Sequence, residues 1–190
     1  GKDAAAQARA MLEKAEFMLG QVGLDMFAVP RTWIWLSNIL RWYDDFNKVR
    51  NEFFGQRGLI ANGEIDKMPA STGIGIGPAN GNVCAMDLAA VQAPAGSIEY
   101  FNAGGNQESP LKYGSAFSRA CKARTPAGMT VFVSGTASIA PDGRTVYADD
   151  ASAQIKYTIE NVQAVLKEMG CSDRNVVQAI SYCKTAEVER

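Results

Sequence analysis

The chain has 190 residues, 47% of them hydrophobic and 21% charged, with a net charge of −1. Those values describe an ordinary globular chain of one or two domains, with neither a basic surface for nucleic acid nor an acidic tail. There is no histidine, which removes Ser–His and Cys–His nucleophilic pairs, histidine zinc sites and imidazole acid–base chemistry together.

Residues 4–22 place Ala8, Met11, Leu12, Ala15, Met18, Leu19 and Val22 on one helical stripe, and Gly23 follows as a stop. Residues 29–36 are aromatic and β-branched and predict a strand. Residues 42–54 predict a second helix, with Trp42, Phe46, Val49 and Phe53 on its apolar stripe. After a polar loop over 56–67, residues 70–77 and 83–92 predict two strands connected through Asn80-Gly81. Residues 94–115, rich in Gly, Asn and Pro, predict a linker. Residues 129–139 and 145–147 flank Pro141-Asp142-Gly143, a hairpin signal.

The last 37 residues repeat the first helix and strand in one unbroken register. Gln7 falls on Gln154, Glu13 on Glu160, Gly23 on Gly170, Val29 on Val176 and Trp35 on Tyr182. A long internal period signals a duplicated unit. The chain therefore reads as the C-terminal part of a first unit (1–93), a connector (94–113), and the N-terminal part of a second unit (114–190), expected to belong to a longer parent. Short strands with helices on one face predict an α+β fold of two partial units.

The apolar run around 29–40 is broken by Pro30, Arg31, Ser37 and Asn38 and is too short to span a bilayer. No signal peptide is visible, and Cys84, Cys121, Cys171 and Cys183 make no metal spacing. The expectation is a cytoplasmic protein without disulfide, membrane segment, metal or cofactor.

One string carries a family resemblance. Gly114-Ser115-Ala116-Phe117-Ser118-Arg119-Ala120, Val131-Phe132-Val133-Ser134-Gly135, then Gln154, Thr158, Asn161, Leu166, Gly170, Val176 and Tyr182 follow in one order. This resembles the Rid family, the imine deaminases also described as L-PSP endoribonucleases. Where Rid enzymes carry an Arg after a Pro-Ala pair, this chain has Ser71. The sequence is more similar to the chorismatase branch, whose chains contain two Rid-like units. The segments that carry this are residues 46–50, 69–75, 112–114 with 117–120, and 133–139. In the connector, Asn106-Gln107-Glu108-Ser109 stands where chorismatases have N-P-R-Q.

The resemblance implies a hydrolase of a small carboxylated metabolite, releasing pyruvate from the enol ether of chorismate, and an assembly as a homotrimer or an intramolecular pseudo-trimer. It also implies substrate-binding roles for Arg50, Arg119 and Tyr113, because planar guanidinium groups match carboxylates bidentately. Asp87 occupies the place of a family Glu, and its apolar strand makes it a buried-carboxylate candidate for catalysis. The general acid implied by the family is a Glu on a strand beyond Arg190. The alternatives are a 2-imino acid deaminase, to which Ser71 is unfavourable, and a non-catalytic metabolite-binding protein.

Two further patterns have plainer readings. Thr72-Gly73-Ile74-Gly75-Ile76-Gly77 lacks the ending and the helix of a phosphate loop, so its glycines admit a ligand or another backbone. Asp149-Asp150 reads as a helix N-cap.

Overall fold

A computed structural model describes residues 3–61, 65–92, 94, 96–105, 107–185 and 188. Gly1, Ala93, Asn106 and Arg190, which figured in the sequence-based boundaries and connector, lie outside the described residues.

Helix α1 (Ala4–Gly20) begins where Asp3 accepts a hydrogen bond from the Ala5 amide at 3.2 Å. Its stripe of Ala8, Leu12, Ala15 and Leu19 is buried. It ends as the sequence predicts: Gly23 has φ +73° and the Leu24 amide returns to the Leu19 carbonyl at 3.0 Å. Strand β1 (Arg31–Leu36) leads through a 3₁₀ turn into helix α2 (Tyr43–Gln56), and strands β2 (Ala70–Ile74) and β3 (Cys84–Ala89) follow.

β1 is the centre of this first sheet. It runs parallel to β2, with Arg31 beside Ala70 and Trp35 beside Ile74, and antiparallel to β3, with Arg31 beside Ala89 and Leu36 beside Cys84. The strands on either side of Asn80-Gly81 thus flank β1 rather than each other. Alternation along β1 divides its side chains between two faces. Ile34 and Leu36 pack with Ala8 and Phe46, so α1 and α2 cover that face. Arg31, Trp33 and Trp35 point to the other. Phe46 and Phe53 are completely buried, each worth about 1.5–3 kcal/mol of burial.

A second antiparallel sheet has the order β4 (Glu99–Phe101), β5 (Ala120–Thr125) and β6 (Gly128–Val133). It joins the edge of β2: the Ser118 amide donates to the Pro69 carbonyl at 3.1 Å, and the Gly135 amide donates to the Ser71 carbonyl at 3.0 Å. A line of buried hydroxyls crosses the seam. Thr32 donates to Ser71 Oγ at 2.9 Å, the Ser71 amide donates to Ser134 Oγ at 2.7 Å, and Ser134 donates to the Ser118 carbonyl.

These elements form one compact unit, residues 1–103 with 109–135. Residues 104–108 with 136–190 form another. The second holds helix α3 (Ala151–Glu168), capped by Asp150, whose carboxylate accepts from the Ala153 amide at 2.9 Å. Asn161 ties α3 to its own unit by donating to the carbonyls of Ala137 and Ile139, both at 3.1 Å. The repeat boundaries drawn from sequence and these compact units are different divisions of the chain.

Three expectations need correction. The strand predicted over 129–139 ends at Val133, and past it only an isolated bridge between Ile139 and Thr145 marks the hairpin. The linker predicted over 94–115 contains β4. The apolar strand predicted near the C-terminus does not form: Val176, Val177, Ile180 and Tyr182 are exposed, Val177 to 96%. A strand needs neighbours to take its backbone hydrogen bonds, and among the described residues this segment takes part in no strand pairing. No helix among the described residues is long and apolar enough to cross a membrane.

Candidate functional site

The site grows from one stripe of α2. Tyr43, Asn47 and Arg50 recur at helical spacings of four and three residues, so they share a face with Phe46. Arg50 is only 3% exposed. Its Nη2 donates to Asn47 Oδ1 at 2.7 Å, and its guanidinium lies over the rings of Phe46 and Phe117 at 5.2 and 5.4 Å. Burial pushes its pKa below the ordinary arginine value, and the nearby phenols of Tyr43 and Tyr113 work against that. Two features set it apart. Its buried Nε has no hydrogen-bond partner, and among the described residues no carboxylate pairs with it.

The opposite wall comes from residues 110–119. A 3₁₀ turn (Pro110–Tyr113) stops at Gly114, whose φ of +87° only glycine adopts without strain. Asn51, one residue past Arg50, clamps this bend to the helix. It donates to the Gly114 carbonyl at 2.9 Å and accepts from the Ala116 amide at 3.0 Å. The clamp delivers Tyr113 and Phe117 to Arg50. Arg119, just before β5, is 5% exposed and held by backbone bonds to Phe101 and Ser134. Its Nη2 donates to the Tyr113 hydroxyl at 2.9 Å, and it too lies over Phe117, at 5.6 Å. Burial lowers the Arg119 pKa and raises that of Tyr113, while their mutual hydrogen bond opposes both shifts.

Arg50, Arg119 and Tyr113, three residues singled out from the sequence, therefore meet at one place around Phe117. Tyr43 and Asn51 were missed. The signal for Tyr43 was its spacing of seven from Arg50 on the same stripe. Asn51 had none, because its role depends on a bend 63 residues away in sequence.

Asp87 corrects the sequence reading. It is exposed, not buried, and accepts from Trp35 Nε1 at 2.7 Å. Its register opposite Trp33 puts it on the sheet face away from α2, apart from the two arginines. Ser71 holds a buried hydroxyl in the seam between sheets. The glycines at 73, 75 and 77 admit the segment 37–43. A Cβ added to Gly73 would sit 3.6 Å from Ile39 and 3.7 Å from the Tyr43 ring, and one on Gly77 would collide with Ser37.

Comparisons with known proteins bear on the family and the fold. Residues 109–188 match the endoribonuclease L-PSP family. The fold matches the crystal structure of a chorismatase with a TM-score of 0.67 and 25% identity, covering 90% of this chain and 54% of that one. The chain thus spans about half the length of that protein. A member of the YjgF/YER057c/UK114 family from Mycobacterium tuberculosis matches over 48% of this chain and 70% of its own, with 29% identity and a TM-score of 0.37. No curated protein sequence matches the chain. The resemblance read from residues therefore holds: a Rid-superfamily segment, in a chain with a chorismatase-like fold.

Proposed function

We propose that this chain binds a small carboxylated metabolite at the Arg50–Arg119 cluster and that its reaction is chorismatase-like hydrolysis of an enol ether. The observation that carries the reading is Arg50: a desolvated guanidinium, flanked by two aromatic faces, whose Nε has no hydrogen-bond partner and which pairs with no carboxylate among the described residues. Burying a cation is costly unless an anion offsets it. A substrate carboxylate supplies that anion.

In this reading Arg50 and Arg119 hold the two carboxylates of chorismate, and the Tyr113 hydroxyl, fixed by Arg119, orients the ring. Hydrolysis delivers a proton to the enolpyruvyl methylene carbon, water adds at the neighbouring carbon, and the hemiketal collapses to pyruvate and a diol. None of the groups that meet Arg50 is a carboxylic acid, so these residues bind and orient. Asp87 lies on the other sheet face and has no part in the step.

The test is pyruvate release from chorismate, followed by coupled reduction to lactate. Release that disappears in Arg50→Met and Arg119→Met supports the hydrolase. Tight chorismate binding without release leaves a metabolite-binding protein. Neither binding nor release removes chorismate as the ligand.

A further inference from the structure

A side chain on a helix meets the residues three and four positions away on its own face. For Arg50 those positions hold Phe46, Asn47, Phe53 and Phe54, all of them buried. None of the four carries a charge. Helix α2 does contain acids, but Asp44, Asp45 and Glu52 are exposed, and Asp45 pairs with Lys48 at 3.2 Å. Arg9 and Arg57, both more exposed than Arg50, have carboxylate partners in Glu13 and Glu16.

Asn47 is the polar group that the helix sets beside Arg50. It is 7% exposed, and its Oδ1 accepts from Arg50 Nη2 at 2.7 Å. A carboxamide oxygen is a neutral acceptor. It fixes the direction of the guanidinium as a carboxylate oxygen would, yet leaves the positive charge uncompensated. An aspartate in its place has the same reach, but it would neutralise the cation and meet its demand for an anion.

We infer that Asn47 is a positioning residue, which aims Arg50 through a neutral hydrogen bond and so keeps its charge for an anionic ligand. This rests on the reading of the cluster as a carboxylate site and adds a condition to it: the site works only while position 47 is uncharged. A carboxylate built into the helix would compete with the ligand from within the chain. A merely structural acceptor would behave in the opposite way, because a charge-assisted bond holds its partner more firmly than a neutral one.

Calorimetric titration with benzoate and with chorismate tests it, using the intact chain, Asn47→Asp and Asn47→Ala, beside thermal unfolding of all three. The wild type should bind most tightly. Asn47→Ala should be about tenfold weaker, because Arg50 loses its aim but keeps its charge. Asn47→Asp should be weaker by about a hundredfold or more, although it retains the acceptor, and it should melt at or above the wild-type temperature because the buried cation is now paired. Asn47→Asp binding as well as Asn47→Ala, or better, overturns the role of Asn47 and leaves the carboxylate site standing. Failure of Asn47→Asp to fold does the same, since the pairing on which the role depends would then be absent. Benzoate and chorismate both failing to bind the wild type overturns the site and the role together, whereas benzoate binding alone keeps the role and discards chorismate.

Discussion

Replacing Arg50 with methionine should abolish ligand binding while leaving the fold as stable as before, or more so. The guanidinium gives the fold a hydrogen bond to Asn47, worth about 1 kcal/mol. It also has the faces of Phe46 and Phe117, each contributing roughly 1 kcal/mol. Against these stands the desolvation of a cation 3% exposed and without a carboxylate partner among the described residues, a penalty of several kcal/mol. Methionine fills similar space between the same rings and removes the penalty. The balance falls between no change and a gain of about 3 kcal/mol, or roughly 2–4 °C in Tm per kcal/mol for a chain of this size. Thermal unfolding of the two proteins measures it, beside a chorismate titration of each. A loss of about 3 kcal/mol or more would show that Arg50 is a structural brace and would refute its assignment to a ligand.

Other residues give independent tests. Asn51→Ala removes both bonds to the 114–116 bend and should cost about 1–2 kcal/mol in urea unfolding. It should also weaken carboxylate binding, since Tyr113 and Phe117 lose their anchor. Ser134→Ala breaks the hydroxyl line between Ser71 and Ser118 and should destabilise the fold by about 2–3 kcal/mol without altering ligand preference. Burial pushes the Cys121 thiol up to about 12 from 9.0. The folded state thus keeps a proton that the unfolded chain releases, and stability is full below pH 9 and falls as pH rises towards 12. Cys121→Ala should flatten that part of the pH profile relative to wild type. At pH 8 a thiol reagent should modify exposed Cys183 quickly and leave buried Cys84 and Cys121 untouched.

The sequence revealed most where local pattern and tertiary need coincide. α1 and α2 carry apolar stripes that the fold buries, and Gly23 closes α1 through its positive φ. β1 was visible because its aromatic and β-branched residues suit a half-buried strand. Pattern was misleading where a partner decides the outcome. Residues 176–182 have the composition of a strand, yet exposed Val177 and Ile180 show that composition without a ladder makes no strand. β4 has only three residues, too few for alternation to show, and it forms because β5 offers an edge. In the site, Arg50 and Arg119 were legible through the resemblance, and their convergence on Phe117 needed coordinates. Asp87 was misplaced because an apolar strand does not say which of its faces is covered. Asp87 follows the uncovered one, opposite Trp33.

The most direct measurement is a calorimetric titration of the chain with chorismate, repeated with Arg50→Met and Arg119→Met. If the two guanidiniums around Phe117 form a carboxylate site, the wild type binds one chorismate per chain, and each substitution weakens binding a hundredfold or more, on the order of 3 kcal/mol. Unaltered binding in either well-folded variant, or no binding by the wild type, would contradict the assignment.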